Sequence, residues 1–143
     1  MLDEENVVPS ADQSDWTTAF ETRSSTAFGA TFAEDVVLEA SVLRRPVTGR
    51  EQVARVLDAA GGIYESLTFT NQVSDGDRAY LEWEAVGLGG VAMRGVTVLI
   101  RNSDGLITGA AIHHRPLDAA LTFSAEVARR TSGVVEADFF ASA

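Results

Sequence analysis

The stretch Phe32–Leu57, FAEDVVLEASVLRRPVTGREQVARVL, predicts the end of a helix, a strand, a turn and a second helix in direct succession. β-Branched and apolar residues over Val36–Leu43 favour a strand. Pro46 lacks the backbone N–H that ladder pairing requires, and a Thr and a Gly soon after it supply turn and helix-capping chemistry. Apolar residues then recur at helical spacing, which predicts a helix over Arg50–Ala60 that the pair Gly61-Gly62 ends.

Two short helices are predicted before this strand. Residues 1–13 carry four acids and a proline without sustained periodicity, so we expect a mobile leader. Ser14 can cap a first helix that ends near Arg23. A second helix begins at Ser25 or the residue before it and extends to Ala33, with its apolar residues at helical spacing. Helices therefore precede the first strand.

After Gly62 the hydrophobic period changes from helical to two, which is typical of antiparallel strands. Three turn sequences separate four predicted strands. The strands are Leu67–Val73, Arg78–Leu88, Val91–Arg101 and Leu106–Arg115. A last helix runs from Pro116 to about Arg130. The tail, residues 132–143, is too apolar to stay in water, so we expect it to dock on its own domain or on a partner subunit, or to form a pocket lid.

The composition excludes several classes of protein. The 143 residues, 45% of them hydrophobic, suffice for one domain with a single core. A formal charge of −10 repels phosphate backbones and anionic lipids, so we expect neither a nucleic acid nor a membrane as partner. No apolar run is long enough to span a membrane, and the first five residues lack the basic start of a secretion signal. These features predict a cytoplasmic protein.

The available side chains also limit the chemistry. The chain has no cysteine and no lysine, which excludes thiolate nucleophiles, cysteine metal sites and lysine Schiff bases. Carboxylates, two histidines, two tyrosines and hydroxyls remain as acids and bases. We therefore expect chemistry that uses neither a metal nor a cofactor.

Two segments resemble a known family. The run WTTAFETRSSTAFGATFAEDVVLEASVLRRPVTGREQVARVL at Trp16–Leu57 and the run HHRPLDAAL at His113–Leu121 resemble the SnoaL-like branch of the nuclear transport factor 2-like superfamily. The resemblance implies an α+β fold, the cystatin-like cone, in which N-terminal helices pack on a curved, mostly antiparallel sheet over residues 14–131. It also implies a pocket between the sheet and the helices, usually closed by a homodimer across the sheet. Members include ketosteroid isomerases, epoxide hydrolases, dehydratases and cyclases, so the likeness is poor evidence for one activity.

The resemblance allows individual residues to be compared. The proton-shuttling aspartate of ketosteroid isomerases falls on Ala40, which disfavours that activity. The arginine and aspartate of epoxide hydrolases fall on Glu82 and Glu84, which share one face of a strand. Two carboxylates so close in an apolar pocket would share a proton, a catalytic arrangement. Arg94, across the following turn, is a substitute for the missing arginine. Alternating glutamates are equally the pattern of a solvated strand face.

The adjacent pair His113-His114 supplies the other candidate. Neighbours on a strand point to opposite faces, so the two cannot chelate one metal ion. The register of the epoxide hydrolases places Ile112 and His114 inward and His113 on the outer face. His114 is therefore a candidate general base, although a satisfied core or interface histidine is the more common role for such a residue.

Aromatic residues complete the predicted pocket. Trp16, Phe20, Phe32 and Tyr64 are expected to line it, although each is also what a core requires. Glu82 or Glu84 would exchange the proton, His114 would act as partner base, and Arg94 or Tyr64 would stabilise negative charge. The predicted function is binding of a small apolar molecule, cyclic ones included, with cofactor-independent chemistry of the isomerase, cyclase, dehydratase or hydrolase type. The alternative is a non-catalytic ligand-binding or dimeric assembly module.

Overall fold

A computed structural model describes residues 13–22 and 25–141. The predicted leader lies, but for Gln13, outside the described residues. The helices are α1 Ser14–Thr22, α2 Ser25–Thr31, α3 Arg50–Ile63 and α4 Leu117–Arg130. The strands are β1 Phe32–Ala40, β2 Val47–Thr48, β3 Tyr64–Asp75, β4 Arg78–Gly87, β5 Val91–Arg101 and β6 Ile107–Arg115, and a short 3₁₀ turn covers Ala137–Phe139.

The strands form one curved, open sheet in the order β2-β1-β6-β5-β4-β3. β1 and β6 run parallel, and the other neighbouring strands of the described sheet are antiparallel. The pairing of β3 with β4 shifts register between Phe69 and Asn71, and irregularities of this kind increase local bend and twist. The predicted α+β fold, with helices packed on a curved, mostly antiparallel sheet, is confirmed.

The two faces of the sheet differ along every long strand. The face turned toward the helices, here called the inner face, carries buried residues on the central strands: Leu81, Trp83, Ala85, Met93, Gly95, Thr97, Leu99, Ala110 and Ile112. The opposite, outer face carries Tyr80, Glu82, Glu84, Arg94, Val96, Val98, Ala111, His113 and Arg115. Because side chains alternate along a strand, each residue's neighbour lies on the other face.

A cluster of aromatic rings fills the space between the inner face and the helices. Trp16 of α1 makes edge contacts with Phe20 and Phe28, at ring-centroid distances of 5.1 and 5.8 Å. Phe32 at the start of β1 and Phe123 of α4 are also almost completely buried. Burial of such large side chains contributes roughly 1.5–3 kcal/mol each, so these rings hold the helices on the sheet.

Several predicted boundaries differ from the structure. The second helix ends at Thr31, whose hydroxyl donates to the Phe28 carbonyl at 2.8 Å, and β1 begins at Phe32 instead of Val36. β1 also stops at Ala40, because the chain turns there and the Leu43 amide donates to the Ala40 carbonyl at 2.9 Å. Val47–Thr48, predicted as part of a turn, pairs with β1.

The predicted end of the third helix at Gly61-Gly62 is wrong. Helix α3 continues through both glycines to Ile63. Gly61 is buried against α1, where an added Cβ would lie at an ordinary contact distance of 3.6 Å from the Phe20 ring. Tertiary packing thus outweighs the weak intrinsic preference of glycine for ending a helix.

The C-terminal tail docks on its own domain. Phe140 is buried and forms an isolated bridge with Leu43, in the connection between β1 and β2. The Arg44 amide donates to the Phe139 carbonyl at 2.7 Å, and the Arg45 guanidinium lies 3.7 Å from the centre of the Phe139 ring. The tail therefore covers the loop that follows β1.

In the described part of the chain, no helix has the length and apolar character needed to cross a membrane.

Candidate functional site

A tyrosine and a histidine meet inside the cone. Tyr64 begins β3 directly after α3, and His114 lies near the end of β6 on the inner side. The Tyr64 hydroxyl and His114 Nε2 are 3.1 Å apart, within hydrogen-bond distance. The His114 backbone amide donates to Ser41 Oγ at 3.0 Å, which holds this part of β6 against the chain that follows β1.

Aromatic rings pack against this pair. The rings of Trp83 and Phe123 each lie 5.1 Å from the His114 ring. The Trp83 indole donates to Thr97 Oγ1 at 3.1 Å, so its buried N–H is satisfied. Gly95 lies opposite His114 on β5, and a Cβ there would overlap the Trp83 ring. Glycine at this position therefore allows Trp83 to lie close to the backbone of β5 beside the histidine.

Burial keeps both members of the pair uncharged near neutral pH. It lowers the pKa of His114 to about 4, and the neighbouring His113 adds repulsion of the same sign. Burial also raises the pKa of the Tyr64 hydroxyl. Among the described residues, His114 Nδ1 is buried without a hydrogen-bond partner. A buried polar atom of this kind favours a ligand or an ordered water as its partner.

A cleft of about 160 Å³ opens beside Tyr64 between α1, the end of α3 and the first half of β3. Its described lining is Thr17, Phe20, Gly61, Tyr64, Glu65, Ser66, Leu67 and Phe69. A second void of only about 10 Å³ lies deeper and is lined by Phe20, Tyr64, Leu67, Phe69, Trp83, Thr97 and Ile112. The two share four lining residues, so they are parts of one region that the protein's own rings nearly fill.

A larger groove lies elsewhere on the described surface. A concavity of about 1160 Å³ runs along the outside of α3 and ends at the last turn of α4. Two of its arginines are paired: Arg55 with Glu51 at 3.1 Å, and Arg130 with Glu126 at 2.8 Å. Its described lining does not include Tyr64. The smaller cleft reaches the pair through Tyr64, although His114 itself is not among its described lining residues, and it is therefore the better candidate site.

The prediction that Glu82 and Glu84 face the pocket is wrong. Both side chains are exposed on the outer face, because the buried residues of β4 are their neighbours Leu81, Trp83 and Ala85. Period-two alternation correctly predicted that the two glutamates share a face, but the helices cover the opposite one.

Arg94, predicted as a pocket residue, also lies on the outer face. It is the direct cross-strand partner of Glu84, and their charged atoms are 3.9 Å apart. Its side chain is about two-thirds exposed, at 64%, so it does not reach the Tyr64–His114 pair. No role at the cleft remains for these three charged residues.

The other predicted residues divide into two groups. His114 lies inward and His113 is exposed outside, as the register predicted. Phe20 and Tyr64 line the cleft, whereas Trp16 and Phe32 are fully packed in the core and do not. Sequence reasoning missed Phe123, Thr97 and Ser41. The hairpin turn after β4 was a usable signal for Thr97, since the register places it opposite Leu81.

Ala40 occupies the position where an isomerase of this fold would carry its aspartate, according to the resemblance. It is paired with Ile112 and packs partly on the core, whereas its neighbour Glu39 is exposed. The inner face of β1 thus supplies no acid here. Across residues 13–22 and 25–141, no three histidine, aspartate or glutamate side chains come together as a possible metal site.

Comparisons with known proteins place this arrangement in a family. The fold and the ring-lined interior define a cystatin-like α+β cone. A family model of the SnoaL-like domain matches residues 14–110, so the chain belongs to the SnoaL-like family. No curated protein matches the chain.

Solved structures share the fold at low identity. A steroid delta-isomerase from Pseudomonas aeruginosa is 21% identical, with a TM-score of 0.76 over 83% of this chain and 88% of that one. A protein with a cystatin-like fold from Silicibacter pomeroyi DSS-3 is also 21% identical, with a TM-score of 0.78 over 87% and 89%. A de novo designed protein with a curved β-sheet reaches 0.62 at 15% identity, over 78% and 96%. Because a designed protein matches too, these likenesses concern the fold and not a reaction.

Proposed function

We propose that the chain binds a small apolar molecule in the cleft beside Tyr64 and that His114 exchanges a proton with it through the Tyr64 hydroxyl, without a cofactor. The observation that supports this proposal is the uncharged Tyr64–His114 pair, joined at 3.1 Å and enclosed by rings. Such a pair can take up or release a proton where bulk water does not compete. Isomerase, cyclase, dehydratase and hydrolase reactions all use a step of this kind.

One tautomer of His114 assigns a role to each atom. With its proton on Nδ1, the imidazole accepts a hydrogen bond from the Tyr64 hydroxyl through Nε2. A C–H bond of the ligand next to a carbonyl then breaks as its proton moves to the Tyr64 oxygen, while the hydroxyl proton passes to Nε2. Negative charge develops on the carbonyl oxygen of the ligand, and the imidazolium that forms balances it. Return of the proton to another carbon completes an isomerisation with no net change in protons.

Deuterium exchange tests this step. Incubated in D₂O with the protein, ketones should exchange the hydrogens next to the carbonyl faster than in buffer, as followed by proton NMR. His114→Gln should abolish the acceleration, because the amide cannot accept the proton, and Tyr64→Phe should abolish it as well, since it removes the hydroxyl through which the proton passes. Glu82→Gln is the matched control on the outer face. Unchanged exchange with His114→Gln would contradict the proposal.

A non-catalytic binding or assembly module is the second candidate. It is favoured by the extent to which Trp83, Phe123 and the rings of α1 and α2 fill the interior. The two candidates predict different results in the exchange experiment: a module gives the same rate for the wild type and for His114→Gln.

We also propose that two copies associate through their outer faces, in the cytoplasm. Val96 and Val98 on β5 and Ala111 on β6 form a half-buried apolar centre there. Acidic Glu84 lies on the β4 side of this centre, and Arg115 lies on the β6 side. A two-fold axis through the centre would bring the acidic side of one copy onto the basic side of the other.

Val98→Arg tests this association. It places an unpaired charge at the centre of the contact, so sedimentation should change from a dimer to a monomer. Thr122→Arg, on the exposed side of α4, should leave the mass unchanged. A wild-type protein that sediments as a monomer at high concentration would contradict the dimer. Cell fractionation that recovers the protein outside the cytoplasm would contradict the location.

A further inference from the structure

We infer that the cleft takes an uncharged molecule with a single ring, of about the size of cyclohexenone, and excludes both fused-ring molecules and anions. The inference rests on the proposed function, because it takes the cleft beside Tyr64 as the binding site. It names the class of substrate from the dimensions and the charge of that cleft.

The volume limits the number of rings. The cleft offers about 160 Å³, and an apolar protein cavity of about 150 Å³ accommodates one benzene molecule. The deeper void of about 10 Å³ is too small to add a second ring, because it is at or below the minimum for a single water. A molecule with two or more fused rings would therefore extend into solvent or displace protein side chains.

The wall between the cleft and the deeper void is made of rings in contact. The Phe20 ring centre lies 6.3 Å from that of Tyr64 and 6.4 Å from that of Phe69. The Phe20 ring also makes edge contacts with the rings of Trp16 and Phe28, at centroid distances of 5.1 and 4.9 Å. Both of these rings are fully buried. Because a packed interior leaves no free space for a ring to move into, Phe20 sets the depth of the cleft.

The lining disfavours charge on the ligand. Of the described residues that line the cleft, only Glu65 is charged. Its carboxylate is exposed at the mouth and accepts the Gly89 amide at 2.9 Å. An anion would meet this negative charge without any arginine in the lining, and a cation would have to give up its hydration among the rings of Phe20 and Phe69. An uncharged molecule meets neither cost.

The hydroxyl groups in the cleft lining favour a ligand with one oxygen atom. Tyr64 is the polar side chain at the inner end of the cleft, and Thr17 and Ser66 lie in the same lining. Tyr64 is held by His114, and the Ser66 hydroxyl can donate to one oxygen of a ligand. A single-ring ketone or phenol places its one oxygen there and its ring against Phe20 and Leu67.

Binding of three probes tests size and charge separately. In NMR titrations, cyclohexenone should shift the resonances of Tyr64 and Leu67 in a saturable way. Benzoate, of similar size but anionic, and a four-ring steroid ketone should not do so at equal concentration. Saturable binding of benzoate at these residues would overturn the charge limit, and saturable binding of the steroid ketone would overturn the size limit.

Enlarged clefts give the converse experiment. Phe20→Ala removes the inner wall, so a two-ring ketone such as tetralone should bind at least about tenfold more tightly than to the wild type. Leu67→Ala, at a half-buried site, is a second enlarged variant for the case that Phe20→Ala does not fold. Val73→Ala, at a 61% exposed position on the same strand, is the control and should leave tetralone binding unchanged. Equal tetralone affinity in wild type and in every folded variant would overturn the inference.

The results separate this inference from the proposed proton transfer. A steroid ketone that binds and exchanges deuterium through His114 overturns the size limit and leaves proton transfer intact. Cyclohexenone that binds without exchange leaves the size limit intact and overturns proton transfer. Absence of binding by every probe, in the wild type and in the enlarged variants, overturns both.

Discussion

The two faces of β4, β5 and β6 carry opposite chemistry on the same backbone. On the inner face, His114 of β6 pairs with Tyr64 of β3 among rings, whereas the outer face of the single chain exposes Glu84, Arg94 and Arg115. The side chains of the adjacent residues His113 and His114 lie on opposite faces of the same strand. Position relative to the helices, and not residue type, therefore decides which ionisable groups have their pKa shifted by burial.

A methyl group added at a glycine should give the largest difference in stability between the two faces. Gly95→Ala on the inner face would push a methyl group into the Trp83 ring and the His113 carbonyl, so we expect a loss of more than about 4 kcal/mol in the free energy of unfolding or a failure to fold. Gly109→Ala is the outer-face control, because its Cβ would lie an ordinary 3.5 Å from Ile100. Urea denaturation measures both, and similar losses would contradict the distinction.

Removal of a ring from the site should have the next largest effect. Phe123→Ala removes a fully buried ring that contacts both His114 and Tyr64, and we expect it to cost about 3–5 kcal/mol. Leu121→Ala is the control on the same helix, since Leu121 is 50% exposed, and should cost far less. Thermal and urea unfolding measure the difference. Equal losses would mean that the interior is loosely packed.

Protonation of His114 should destabilise the protein in mild acid. Its pKa is about 4 in the folded protein and about 6.5 when unfolded. The unfolded chain therefore binds more protons in this window, and the free energy of unfolding should fall as pH decreases from 6.5 to 4. The expected loss is on the order of 3 kcal/mol.

Variants at the two histidines test whether His114 causes this loss of stability in acid. His114→Gln should remove most of the pH dependence in the window, whereas His113→Gln, on the exposed outer face, should retain most of it. Urea denaturation at several pH values measures the slopes. The assignment is wrong if His113→Gln flattens the profile and His114→Gln does not.

Substitution of the outer carboxylates should have the smallest effect. Glu82→Gln and Glu84→Gln change exposed groups, and the 3.9 Å contact of Glu84 with Arg94 is a solvent-exposed pair of little energetic weight. We expect each to change stability by less than about 0.5 kcal/mol and to leave deuterium exchange unchanged. A large loss of exchange in either variant would restore these carboxylates as catalytic candidates.

Much of the sheet could be predicted because its signals are local. The alternation in β4 and the turn sequences placed the central strands, and the turn before β5 correctly related the register of one strand to the next. The boundaries at Phe32 and Gly61 were wrong, because packing against α1 and β6 decides them. Neither contact is visible in the neighbouring sequence.

The site was only partly predictable for a related reason. A period of two assigns residues to two faces but does not say which face the helices cover. The family register correctly placed His114 on the inner face. Glu82 and Glu84 were wrongly assigned to the inner face, although the apolar residues Leu81 and Trp83 beside them indicated that the glutamates lie on the outer one. The pairing of His114 with Tyr64 spans 50 positions of the chain, and no local pattern predicts such a contact.

The sequence by itself determined the element order, the α+β class and the alternation of the strands, because turn chemistry and hydrophobic period act between near neighbours. Only the tertiary structure decided which face became the interior, how far rings fill it, and that a tyrosine and a histidine meet there. These properties depend on contacts between distant segments, where volume and the exclusion of water, and not the local pattern, determine the outcome.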